Sequence, residues 1–138
     1  DVLDLLGMRA GIVGHGIITT DTGIDEITTA TSNRVRGVGR LREIDATWQG
    51  AEFGLEPASF NDLRGGDLPH NLGVVDAVLS GRGPRGLVDT IALNAAVALW
   101  VMGRAVTIVD AVESARETLV GGAVRAKIAA TREFFAAA

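Results

Sequence analysis

The nearly apolar run at residues 91–102 constrains the fold more than any other part of the sequence, and its one polar side chain is Asn94. The run is shorter than the roughly 18 residues that a membrane span requires. With its flanks, residues 84–103, it predicts a core helix whose apolar stripe comprises Val88, Ile91, Ala92, Ala95, Leu99 and Met102. We interpret Asn94 as a buried residue whose amide ties a neighbouring loop to this helix.

The part of the sequence before the predicted helices has patterns that are typical of β-strands. The run at residues 10–13 is short, β-branched and closed by glycine, which favours a buried strand. Residues 33–38 and 41–47 are separated by Gly39-Arg40 and predict an antiparallel hairpin at one edge of the sheet. Residues 16–31 are rich in Thr, Asp and Gly, which is typical of a loop or an edge strand.

Helix signals follow Trp48. Ser59, Asp67 and Thr107 are predicted N-caps, and a last helix is expected from Ala123. The fold class is therefore α/β: a partial mixed sheet with a β-hairpin, packed by several C-terminal helices. We treat residues 1–138 as a single domain fragment, with a strand and hairpin region at 1–48 and a helical region at 49–138.

The cysteine count and the net charge limit the classes of function that fit this chain. The chain has no cysteine, which removes disulfides and thiolate metal sites and favours an intracellular location. Its formal net charge of −4 argues against binding of a nucleic-acid backbone. A globular protein that binds neither nucleic acid nor membrane is expected.

Asp25 and Glu26 are the candidate metal ligands. Mg²⁺ prefers hard oxygen donors and is usually held by one or two carboxylates together with substrate phosphates. Two adjacent acids on a loop can both turn towards such an ion, whereas on a regular strand they would point to opposite faces. Taken alone, an Asp-Glu dipeptide is far more often a solvated surface pair.

Other motifs favour structural roles. His15 lies between glycines at a strand end and is more typical of a histidine bonded locally at a turn than of a substrate contact; His70 fits a solvated or capping residue. Gly81, Gly83 and Gly86 match the spacing of a dinucleotide loop, but they follow a helix instead of a strand. Gly65-Gly66 precedes Asp67, which would repel an anion and serve as a cap.

Several strings in order carry a family resemblance. They are Ala-Gly-Ile-Val-Gly-His-Gly at 10–16, Gly-Ile-Asp-Glu-Ile at 23–27, Glu-Phe-Gly-Leu at 52–55, Leu-Arg-Gly-Gly-Asp at 63–67 with Asn71, Gly-Pro-Arg at 83–85 and Leu-Asn-Ala-Ala at 93–96. Together they resemble the C-terminal portion of the large α/β domain in anthranilate phosphoribosyltransferases. The resemblance covers essentially the whole chain, with two departures: Gly14 stands where the family usually has Val, and residues 17–22 lengthen the loop before Gly23.

The resemblance implies an enzyme of tryptophan biosynthesis that transfers phosphoribosyl from phosphoribosyl pyrophosphate to anthranilate and releases pyrophosphate. It implies Mg²⁺ held by Asp25 and Glu26, a cytoplasmic location and a family homodimer, whose main contact region is absent here. The family's phosphate loop and anthranilate contacts lie upstream of these strings, so we expect this chain to be a portion of the enzyme that is inactive alone. The alternatives are a pyrimidine-nucleoside-phosphorylase-like enzyme and a non-catalytic relative that binds nucleic acid or protein.

Overall fold

A computed structural model describes residues 2–136, so Asp1 and the last two residues of the alanine-rich end lie outside the described part. The described part opens with a short helix, α1 (Val2–Leu5), and the four strands follow it. They are β1 (Ala10–Ile17), β2 (Gly23–Ile24), β3 (Asn33–Gly39) and β4 (Asp45–Trp48). Two 3₁₀ turns follow, Gly50–Phe53 and Phe60–Leu63, and then α2 (Leu68–Leu79), α3 (Arg85–Val101), α4 (Ile108–Val120) and α5 (Ala123–Ala136). The predicted α/β class is confirmed.

The sheet has the order β2-β1-β3-β4. All pairings among the described strands are antiparallel, so the parallel part of a mixed sheet is not found in residues 2–136. β3 and β4 form the predicted edge hairpin, but its second strand begins at Asp45 instead of residue 41. The reason is local: Ile44 N–H bonds the Leu41 carbonyl at 2.9 Å, so these residues are used in the turn.

The core lies between the inner face of the sheet and helices α3 and α4. Its buried members include Val35, Leu93, Ala96, Ala111 and Val112. Within residues 2–136 no helix is both long and apolar enough to cross a bilayer. Helix α3 supplies Ala92, Leu93, Ala96 and Val97 to the core, so it is a core helix, as its sequence predicts.

The predicted buried stripe of α3 is wrong in part. Ile91, Ala95 and Met102 are exposed, and Ala92 is the one fully enclosed member of the predicted stripe. The buried apolar residues of the helix are Gly86, Ala92, Leu93, Ala96 and Val97. Because α3 is apolar almost all round, hydrophobicity cannot choose the face. The polar residues Asp89, Thr90 and Asn94 lie on the inward side because their partners are there.

Helix caps follow the sequence closely. Asp67 accepts a hydrogen bond from His70 N–H at 2.9 Å, with Pro69 in the first turn of α2. Thr107 accepts one from Asp110 N–H at 3.1 Å. Ser59 caps as predicted, but the helix that it begins is a four-residue 3₁₀ turn. These caps fix where the helices behind the sheet begin.

Candidate functional site

The site is built where β1 turns into β2. Ile18 and Thr19 N–H groups both bond the Thr22 carbonyl at 3.0 Å, which closes a tight loop. β2 then returns antiparallel, with Gly23 opposite Ile17 and Ile24 opposite Gly16. Residues 17–22, the lengthened segment, therefore form a compact hairpin connection that delivers the chain to Asp25.

Asp25 and Glu26 follow β2 directly in a bend, and both are exposed. The irregular backbone expected at this pair is present. Asp25 lines a cleft of about 320 Å³ between β1 and α3, which it shares with Ile12, Asn94 and Val101 among others. A ligand entering the cleft would meet the Asp25 carboxylate beside apolar walls.

Ile27, the residue after Glu26, is buried and fixes the end of the acidic loop to helix α3. Its side chain is 4% exposed, and both of its backbone polar groups bind the amide of Asn94. Ile27 N–H donates to Asn94 Oδ1 at 3.2 Å, and Asn94 Nδ2 donates to the Ile27 carbonyl at 2.6 Å and to the Thr90 carbonyl at 2.8 Å. The prediction that Asn94 ties a loop to the core helix is confirmed, and the loop is the one that carries the acidic pair. The prediction that Asn94 is buried is wrong, because the residue is half-buried beside the cleft.

The position of the Ile27 side chain also explains why residue 14 is a glycine. A Cβ atom at this position would lie 2.5 Å from Ile27 Cγ1, closer than atoms can approach without movement. The space that a valine would use at position 14 is filled by the Ile27 side chain.

A second amide holds the segment beyond Ile27. Thr28 N–H donates to Asn33 Oδ1 at 2.7 Å, and Asn33 Nδ2 donates to the Thr28 carbonyl at 2.9 Å and to the Trp48 carbonyl at 3.1 Å. Thr29 N–H donates to Thr90 Oγ1 at 3.3 Å. No buried side-chain polar atom in the described residues lacks a partner. Sequence reasoning missed Asn33 and Thr90, although polar residues inside an otherwise apolar helix or strand are the available signal.

His15 lies within strand β1, opposite Arg34 in the β1–β3 register and on the other face of the sheet, so the turn position expected for it is wrong. Its ring covers Gly23, because a Cβ atom there would fall 2.0 Å from His15 Nε2. Any side chain at position 23 would therefore displace the imidazole. His70 is exposed at the start of α2, where its backbone N–H bonds the Asp67 cap, as a capping-region residue should.

The two glycine motifs have structural roles. Gly86 follows α2, not a strand; its N–H donates to Asp62 Oδ2 at 3.0 Å, and a Cβ there would lie 2.4 Å from the Ala58 methyl group. Gly66 N–H donates to Asn71 Oδ1 at 2.8 Å, so this amide is already used by the protein. Both observations agree with the structural interpretation of these strings.

The chemistry of Asp25 and Glu26 can be compared with what Mg²⁺ prefers. Across residues 2–136 there is no group of three or more acidic or histidine side chains placed to hold a metal ion. The pair supplies hard carboxylate oxygens on an exposed loop, and Mg²⁺ commonly takes its other ligands from water and substrate phosphates. The donor set is thus compatible with Mg²⁺ brought together with a phosphorylated substrate.

Comparison with known proteins gives a consistent result. The profile described as "Glycosyl transferase family, a/b domain" matches residues 2–125. The anthranilate phosphoribosyltransferase of Syntrophotalea carbinolica is 36% identical over 93% of this chain and 35% of its own length. That of Geobacter sulfurreducens is 38% identical over 92% of this chain and 35% of its own length. The crystal structure of the Thermus thermophilus anthranilate phosphoribosyltransferase matches with a TM-score of 0.73 and 31% identity, covering 87% of this chain and 33% of that one. The chain therefore spans about a third of the length of the relatives that it matches.

Proposed function

The chain belongs to the glycosyl transferase family through its α/β domain, and from that premise we propose that it forms part of an anthranilate phosphoribosyltransferase. In this proposal the complete enzyme transfers phosphoribosyl from phosphoribosyl pyrophosphate to the amine of anthranilate. It acts in the cytoplasm as a homodimer, as the family resemblance implies. The observation that carries the proposal is the acidic loop, which lies in a matched family segment and is followed by a residue, Ile27, that is held by part-buried hydrogen bonds from Asn94.

Asp25 and Glu26 are the residues proposed to hold Mg²⁺. When bound, the ion would neutralise charge that accumulates on the departing pyrophosphate. The chain's own contribution is to present two carboxylates at a fixed place, since position and field supply most of the catalysis in such transfers. Residues 1–48 would carry this metal loop, and residues 49–138 would support it from behind through α3.

The test pairs this chain with the part of a relative that it lacks. The N-terminal two-thirds of the Thermus thermophilus enzyme is expressed separately and mixed with the 138-residue chain. Complex formation is checked by gel filtration, and consumption of anthranilate is followed by its fluorescence. We expect phosphoribosyl anthranilate from the complex and none from either piece.

The matched variant is the double change Asp25→Asn and Glu26→Gln, which keeps the shape of both side chains. Loss of a group that stabilises developing charge is expected to lower turnover by about 10²-fold or more. It should also raise the Mg²⁺ concentration required. A stable complex that never consumes anthranilate would overturn the proposal, and full turnover with unchanged Mg²⁺ dependence in the double variant would remove the metal role.

A further inference from the structure

We propose that Asn94 is a positioning residue for the metal loop, an inference that rests on the proposed function of Asp25 and Glu26. Asn94 touches neither carboxylate through a hydrogen bond in the structure. It acts through Ile27, the residue that follows Glu26, by binding both backbone groups of that residue. Asn94 and Asp25 also line the same cleft.

The geometry leaves the loop little freedom at this point. The Asn94 amide holds the Ile27 backbone from the α3 side, and its remaining N–H bonds the Thr90 carbonyl one helical turn earlier, which fixes the orientation of the amide plane. The Ile27 side chain is held from the sheet side, where it fills the space above Gly14. A segment clamped on two sides cannot slide, so the preceding carboxylates start from a fixed point.

A purely structural role would make a different prediction. Asp89 provides the comparison because it is a second hydrogen-bonded polar residue of α3, 3% exposed, and accepts a hydrogen bond from Arg116 Nη1 at 2.5 Å. Its partners lie on α3 and α4, away from the acidic loop. If α3 polar groups matter only for stability, changes at Asn94 and Asp89 should affect the loop alike.

The experiment uses the whole 138-residue chain labelled with ¹⁵N and titrated with Mn²⁺ alone. Paramagnetic broadening of the Gly23 amide signal reports ion binding beside the pair. Asn94→Leu keeps the size of the side chain but removes its hydrogen bonds, and Asp89→Asn is the control. Groups that orient metal ligands typically contribute 10- to 100-fold to affinity, so Asn94→Leu should require about tenfold more Mn²⁺ for half-maximal broadening. Asp89→Asn should stay within about twofold of wild type.

Gly14→Ala serves as the second variant, because it displaces Ile27 from the opposite side and should weaken Mn²⁺ binding in the same direction. It decides the question if Asn94→Leu does not fold. The double change Asp25→Asn and Glu26→Gln is the reference for the metal site itself. If broadening persists unchanged in this double variant, the proposed metal role fails and the inference fails with it. If broadening needs the pair but is insensitive to Asn94→Leu and Gly14→Ala, or if Asp89→Asn weakens binding as much, only the positioning role is overturned.

Discussion

Replacement of Gly14 by Val, the residue usual in the family, is expected to destabilise this chain. Val is intrinsically better than Gly in a strand by up to about 1 kcal/mol. Against this, the new Cβ would lie 2.5 Å from Ile27 Cγ1 and 3.1 Å from Ile27 Cδ1, before the two Val methyl groups are counted. Ile27 cannot move aside freely, because the Asn94 amide holds its backbone.

The steric cost of the new side chain is larger than the gain in strand propensity. Insertion of methyl groups into a packed core typically costs about 1–3 kcal/mol, which exceeds the gain in strand propensity. We expect a net loss of about 1–2 kcal/mol in the free energy of unfolding from these two opposing terms. Ile27→Ala alone should cost about 2–5 kcal/mol through the cavity that it leaves. The combination of Gly14→Val with Ile27→Ala should cost less than the sum of the single changes, because each change relieves the defect of the other.

Urea unfolding followed by tryptophan fluorescence measures all four proteins. Trp48 and Trp100 are both half-buried against the core, so their emission should change when the core opens. A coupling of at least about 1 kcal/mol between positions 14 and 27 is expected from their direct contact. Gly14→Val at wild-type stability, or strictly additive effects in the double variant, would refute the reasoning that Ile27 occupies the space of the missing side chain.

Three further outcomes are expected. The purified chain alone should form no phosphoribosyl anthranilate, because binding both phosphate groups needs amides that lie upstream in the family; product from the pure chain would contradict this. The chain should self-associate through an open strand edge, because among the described residues only Gly16 and Ile17 of β1 pair with β2. A monodisperse monomer in sedimentation at high concentration would count against this expectation. The double change Asp25→Asn and Glu26→Gln should alter the unfolding free energy by no more than about 0.5 kcal/mol, because exposed side chains contribute little; a larger loss in urea titration would indicate a structural role.

The parts of the fold that could be predicted are those set by neighbouring residues. The caps at Asp67 and Thr107 need only a short polar side chain and a free N–H within one turn, and both formed as expected. The hairpin of β3 and β4 is similarly local, since Gly39 adopts a φ of +62° at the start of its turn. The start of β4 was misplaced because the turn uses backbone hydrogen bonds that no side-chain pattern reveals.

The buried face of α3 depends on distant partners and could not be obtained from periodicity. Asp89 is inside because Arg116 of α4 reaches it, and Thr90 is inside because residues 28 and 29 bring their polar groups to it. A polar residue with a partner is stable in a core, whereas hydrophobic residues such as Ile91 remain partly exposed when no neighbour covers them. In a helix that is apolar all round, the few polar residues carry more information about the buried face than the many apolar ones.

The acidic pair could be proposed from the sequence, whereas the residues that hold its loop in place could not. Asp25 and Glu26 can be singled out only through the family resemblance, because an Asp-Glu dipeptide taken alone is more typical of a solvated surface pair. Their support could not, because the Asn94 amide lies 67 residues from Ile27 along the chain. This support matters for the proposed metal role. Exposed carboxylates on a free loop would lose conformational entropy on binding an ion, and the bonds from Asn94 and Asn33 remove part of that freedom during folding. In the proposed metal site, the residues that hold the acidic loop in place are therefore the side-chain amides behind it, Asn94 and Asn33.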